Sequence, residues 1–150
     1  KNFIFLLLIN ITIVLIFSFS YLNAKESEYF QKGKVLFEKG DLEKSKNLFE
    51  KDLVFNPLSE KSYLYLAKIF YADDNDQEQE INLHNVLLLN PQNDEAIYML
   101  VLLKIKQSDY DGAKELINKF NLVCKSFCSK RAEIQEKFDK LIPENARDNN

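Results

Sequence analysis

Few residues in this chain could do chemistry, and they are scattered. Cys124 and Cys128 are its only cysteines and stand four apart. In an oxidising compartment an even cysteine count favours a disulfide. Within a continuous helix that spacing is awkward for the bond, whereas across a turn it is feasible. Three states are open: a structural bridge, two reduced thiols packed as small apolar residues, or a redox-active pair, for which the CxxC spacing is lacking. His84 is the only histidine and falls in a segment of helical pattern far from either cysteine, so a zinc site is not expected. The acidic run from Asp73 to Glu80 invites a calcium reading. It lacks the central Gly of an EF-hand loop, and His84 falls where the twelfth-position Glu belongs. It reads instead as a solvated loop running into a helix N-terminus, where the helix dipole favours acids. No Gly-rich phosphate loop, nucleophile elbow or metal-ligand cluster is present. The expectation is a non-catalytic chain without cofactor or metal.

The elements that position these residues follow from a repeat. Asn56-Pro57 and Asn90-Pro91 lie 34 residues apart. Tyr29, Gly33, Leu36, Ser45, Phe49 and Pro57 are matched one period later by Tyr63, Ala67, Phe70, Gln79, Leu83 and Pro91. A third copy supplies Ile97, Val101, Lys104, Ala113 and Ile117, with Lys125 where Pro would fall. A period of this length with Pro closing each unit points to stacked helical hairpins. Small residues at Gly33 and Ala67 let paired helices approach closely, and Ser45 and Ala113 do the same from the facing helix. Asp41, Asn75 and Asp109 are placed to cap each second helix. Asn-Pro ends that helix, because the residue before Pro disfavours the α conformation. Ser59 and Asn93 then cap the next first helix.

This pattern resembles the tetratricopeptide repeat family, in the form found in exported bacterial envelope proteins, over residues 26–125. Two departures are Gln79 and Val101, where the family prefers small residues, and a third is the missing Pro. The resemblance implies an all-α, right-handed helical-hairpin solenoid of about three repeats plus a C-terminal capping helix. Lys125 lies between the two cysteines, so a Cys124–Cys128 bridge is expected to replace Pro in fixing the third turn. Phe127, Arg131, Ile134, Phe138 and Leu141 then form one amphipathic stripe, which suits a cap covering the last repeat.

Residues 3–19 form an apolar run interrupted only by Asn10, Thr12 and Ser18, and Ser20-Tyr21-Leu22-Asn23-Ala24 follows, ending in a small residue. Residues 1–24 read as a secretory signal peptide cleaved after Ala24. The alternative is an uncleaved anchor, since the run is at the short edge of a spanning helix. Either way the repeats of residues 25–142 are expected to face an extracytoplasmic space, periplasmic or membrane-tethered, with residues 143–150 a disordered tail. The formal net charge is −3 and no basic stripe is visible, which disfavours nucleic acid.

In the family the first helix of each repeat lines a concave groove. The alignment carries that role to Phe30, Lys34 and Phe37, to Leu64, Lys68 and Tyr71, and to Tyr98, Leu102 and Ile105. The family's clamp for a C-terminal carboxylate is absent: Phe30, Tyr65, Glu95 and Met99 stand near its positions. An apolar groove suits an amphipathic helix or an extended peptide with large apolar anchors. The implied function is a non-catalytic protein–protein interaction module, an exported scaffold or adaptor. Coverage of the same face within the protein or in an oligomer is the competing outcome. A membrane-anchored accessory protein, or a thiol–disulfide protein using Cys124 and Cys128, are the alternatives.

Overall fold

A computed structural model describes residues 26–141; the expected signal or anchor segment and the C-terminal tail lie outside them. Seven α-helices follow one another: α1 Glu28–Glu38, α2 Leu42–Phe55, α3 Glu60–Ala72, α4 Asp76–Leu89, α5 Asp94–Lys106, α6 Tyr110–Val123 and α7 Arg131–Leu141. A 3-10 turn, Cys128–Lys130, precedes α7. The helices pair as three hairpins, α1–α2, α3–α4 and α5–α6, and α7 packs on α5 and α6. The fold is an all-α helical-hairpin solenoid.

Side chains start each of the first six helices. Ser27, Asp41, Ser59, Asn75, Asn93 and Asp109 each accept a backbone N–H from the residue three positions on, satisfying donors that the first turn leaves without partners. Five of these were legible from the repeat; Ser27 was not. The turn within each hairpin is built identically. Gly40, Asp74 and Ser108 have φ of +80°, +55° and +60°. Around them Asp41, Asn75 and Asp109 donate backbone N–H bonds to Leu36, Phe70 and Lys104, while Gly40, Asp74 and Ser108 donate to Phe37, Tyr71 and Ile105. This is the Schellman closure, which needs a left-handed residue. Only the first copy carries Gly there.

The close helix approach expected at Gly33 is present. A Cβ at that position would sit 2.9 Å from Cε1 of Phe49, whose ring is fully buried. Ser45 Oγ donates to the Gly33 carbonyl at 2.8 Å, so the small residue of the facing helix also forms a polar tie. Gln79 and Val101 are both buried, so the two departures from small residues are absorbed by the core.

Three apolar clusters bridge consecutive units. Phe30 and Phe49 pack with Leu66 and Ile69 of the second unit. Leu64, Ala67, Leu83 and Val86 pack with Ala96 and Leu100 of the third. Ile97, Val101, Ala113, Ile117 and Phe120 are closed by Ile134 and Phe138 of α7. Ile134 and Phe138 thus do the capping expected of the C-terminal stripe. Arg131 is exposed and instead donates through its guanidinium to the Asn121 carbonyl at 2.8 Å.

The third turn differs from the others in its chemistry. Cys124 and Cys128 lie at disulfide distance, with their Cα atoms 5.2 Å apart. Between them, the backbone N–H groups of Lys125, Ser126 and Phe127 all donate to Asp94 Oδ2, at 2.6, 2.6 and 2.9 Å. Burial pulls the Asp94 carboxyl upward, but these N–H groups outweigh it and hold it below the ordinary 3.8. One period earlier, Glu60 accepts from the side-chain amides of Asn90 and Asn93 at 3.0 and 2.6 Å. One period before that, Glu26 pairs with Lys61. The acid at 60 and at 94 therefore ties its unit to the turn that follows, and the acid at 26 ties the first unit to the first turn of α3.

Two stability predictions follow from the turns and the close contact. Gly33→Ala overpacks the α1–α2 interface and lowers unfolding free energy by about 1–3 kcal/mol. Ser108→Gly relieves a left-handed side-chain residue and raises it by about 0.5–1 kcal/mol. Urea denaturation of the full chain measures both. Because the Asp94 pKa is lowered on folding, its contribution is present above the unfolded value and is lost as pH falls through the folded one. Asp94→Asn should cost about 1–2 kcal/mol at about pH 7. The gap from the parent should close as pH drops below about 4, and thermal melts across that range will show it.

Candidate functional site

The first helices of the three units lie side by side. Tyr65 of α3 packs its ring against Phe30 and Phe37 of α1, at centroid distances of 5.6 and 5.1 Å. Lys68 of α3 reaches Glu95 of α5 at 2.8 Å. Tyr98 of α5 meets Phe127, ahead of α7, at 5.8 Å. This is the face expected to form the groove.

The structure divides the nine expected groove residues. Phe30 and Leu64 are buried and serve the core, and Ile105, also largely buried in the core, lines the second of the cavities described below. Lys34 is exposed and stands 3.9 Å from Glu38 of its own helix. Phe37 is half-buried behind Tyr65, which also stacks on Phe49 at 4.9 Å. An aromatic plug therefore fills the face between the first and second units. The groove opens between the second unit, the third and α7. There Lys68, Tyr71, Glu95, Tyr98, Met99 and Leu102 line a cavity of about 420 Å³ floored by Gln79. An adjoining cavity of about 400 Å³ shares Tyr71 and Leu102 and reaches Lys106, Lys137 and Lys140.

Its walls differ in rigidity. Tyr98 is wedged between Phe120 and Phe127, and its hydroxyl donates to Glu133 Oε1 at 3.1 Å. Burial and the neighbouring Glu133 raise its pKa. Lys130 lies over the Tyr98 ring and, with the Tyr98 hydroxyl, holds the Glu133 carboxyl below its ordinary value. Tyr71, by contrast, is 62% exposed at the centre of the opening. Lys68 is committed twice, to Glu95 and to the face of Tyr65 at 4.9 Å.

The other candidate chemistry lies apart. His84 is exposed and sits 3.5 Å from Glu80 one turn away on the same helix. Glu80 is held below its ordinary pKa by Lys104, then Gln107, so the pair belongs to the α4–α5 ion network. Cys124 packs against the core of the third unit. Among the described residues no group of three or more His, Cys, Asp or Glu could hold a metal ion.

Sequence reasoning assigned no groove role to Gln79, Glu95, Met99, Lys137 or Lys140. Glu95 and Met99 were visible as occupants of the family's clamp positions. Gln79 was visible as an oversized residue at a small-residue site. The two lysines belong to α7, outside the 34-residue register, and carried no signal.

Three solved structures share this architecture. The first tetratricopeptide-repeat domain of Spaghetti (RPAP3), bound to the HSP90 peptide SRMEEVD, superposes with a TM-score of 0.67 at 13% identity, covering 75% of this chain and 90% of that one. The Sgt2 tetratricopeptide-repeat domain from Aspergillus fumigatus gives 0.65 at 15% identity, covering 79% and 82%. A chain of the CopN–Scc3 complex gives 0.63 at 13% identity, covering 81% and 72%. No family model matches the sequence, and no curated protein does. At these identities the likeness shows the fold: a tetratricopeptide-repeat solenoid.

The contrast between the two tyrosines is testable. Tyr71→Ala should leave stability within about 0.5 kcal/mol of the parent, as for an exposed surface site. Tyr98→Ala removes a packed ring and should cost about 2–4 kcal/mol. Urea unfolding of the full chain distinguishes them.

Proposed function

We propose that this chain is a non-catalytic protein-binding module, an exported scaffold or adaptor of the bacterial envelope. It takes an apolar helix or peptide segment into the open half of its groove. The observation that carries this reading is the cavity whose apolar lining is Tyr71, Tyr98, Met99 and Leu102 and whose polar lining is Lys68, Gln79 and Glu95. Such a pocket suits a large apolar anchor. The similar Spaghetti domain is bound to a peptide with an acidic tail. Here Glu95 neutralises the lysine that faces the cavity, so a carboxylate gains nothing there and loses its hydration. The ligand segment in this cavity is therefore apolar at its anchor, and the lysines of the groove that remain, Lys106, Lys137 and Lys140, border the adjoining cavity.

Export is proposed from the apolar run at residues 3–19 and from a cysteine pair at disulfide distance across the third turn. A bridge there replaces Pro as the device that fixes the turn, and an oxidising compartment would preserve it. A thiol–disulfide exchange role gains no support, because Cys124 is half-buried against the core of the third unit and the pair lacks the CxxC spacing.

Peptide selection against the full chain tests the groove. Selected sequences should carry large apolar anchors, and Leu102→Glu should abolish their binding while leaving the circular dichroism unchanged. The reading is wrong if SRMEEVD-like acidic tails bind and apolar peptides do not.

A further inference from the structure

A second periodic feature is unrelated to the groove. Val54, Leu88 and Leu122 are 34 residues apart, each the penultimate residue of a second helix. They are 75%, 80% and 86% exposed. Phe55 and Leu58 are exposed beside the first of them. Among the described residues, five of the nine exposed large hydrophobics thus gather at one edge of the solenoid. An apolar side chain left in water at the same place in every unit is not explained by packing.

Two observations indicate what covers this edge. The first is where the chain enters. Glu26 pairs with Lys61, and Tyr29 stacks on Phe55 at 5.6 Å, so the start of α1 lies at this same edge. The apolar run of residues 3–19 is joined to Glu26 by only six residues, a reach of at most about 20 Å. A bilayer holding that run would lie nearest this edge.

The second is charge. Of the acids of this edge, Glu26, Glu28 and Glu95 are paired with Lys61, Lys32 and Lys68, and Glu60 and Asp94 accept from the following turn. Lys51 and Lys125 present their cations over Tyr29 and beside Gln92, and Glu50 sits one helical turn farther from the edge than Val54. The opposite edge carries Asp41, Asp73, Asp74, Asp76, Asp109 and Asp111 on or beside the hairpin turns. Lys44, Lys104 and Lys106 pair with four of these, Asp41, Asp109, Asp74 and Asp76. That leaves Asp73 and Asp111 at that edge against Lys51 and Lys125 at the first, so an anionic lipid surface would favour the first edge over the second.

We propose that the edge formed by the ends of α2, α4 and α6 lies on the lipid bilayer. Val54, Leu88 and Leu122 sit at the interface, and residues 3–19 are retained as the tether. The open groove is lined from α3, α5 and α7, so this contact leaves it accessible, and the proposal does not depend on what the groove binds.

The chain contains no Trp, so one substitution gives a unique reporter. Leu88→Trp and Leu122→Trp, with Asp111→Trp at the opposite edge as reference, are made in the full chain. Each is bound to vesicles of phosphatidylethanolamine and phosphatidylglycerol, with and without brominated acyl chains. The expected result is a blue shift and bromine quenching for the first two reporters, with neither for the third. Three results overturn the proposal. The chain fails to bind the vesicles; the first two reporters stay as water-exposed as the third while bound; or they shift without lipid as protein concentration rises, which would assign the edge to a second copy of the chain.

Discussion

Every hairpin in this molecule has an apolar side that it cannot cover by itself, and the whole structure depends on the next element covering it. The three clusters show this directly, since each crosses a unit boundary and the last is closed by Ile134 and Phe138 of α7. Apolar burial is non-directional and would tolerate sliding of one hairpin over the next. Directed bonds remove that freedom. Glu26 pairs with Lys61 at the start of α3, while Glu60 and Asp94 grip the turn one unit on, by two amides and by three backbone N–H groups. The partners change while the position of the acid does not, so the function of that site is to fix register.

The two ends of the array need separate solutions. At the start, Asp52 is fully buried and accepts the hydroxyls of Ser27 and Ser62. The equivalent sites in later units are the buried Val86 and Phe120. The Asp52 side chain there binds the cap residue of α1 to α3, which holds the first of the described helices. At the far end, the Asn-Pro turn gives way to the cysteine pair and the carboxylate of Asp94. The chain then needs a 3-10 turn before α7 can lie on α5 and α6.

Much of this was legible because its causes are local. Helix starts depend on one side chain and its position, and five of the six side-chain caps were assigned from Asp, Asn and Ser in the 34-residue register. Gly40 announces its turn, whereas Asp74 and Ser108 adopt the same left-handed geometry without a sequence marker. The groove was read less completely, for a physical reason. Register assigns a residue to a helix face, but exposure depends on the size of its neighbours. Tyr65, one residue past Leu64, is large enough to seal the first half of the groove and bury Phe30 beneath it. Lys137 and Lys140 reach the cavity from a helix outside the repeat.

A half-filled groove constrains how strongly it can hold a partner. One cavity of about 420 Å³ and its neighbour accept a few anchor side chains, and a flexible peptide loses entropy when those are fixed. A clamp would add charge-assisted bonds, but Lys68 is already engaged by Glu95 and Tyr65. Affinity from this site alone is therefore modest. A module of that kind becomes effective when it and its partner share a surface, because confinement raises their effective concentration without any new contact. On the proposed bilayer contact, the exposed ladder at Val54, Leu88 and Leu122 would provide such confinement. It lies on the second helices, away from the groove, so one molecule can meet a lipid surface and a partner at once.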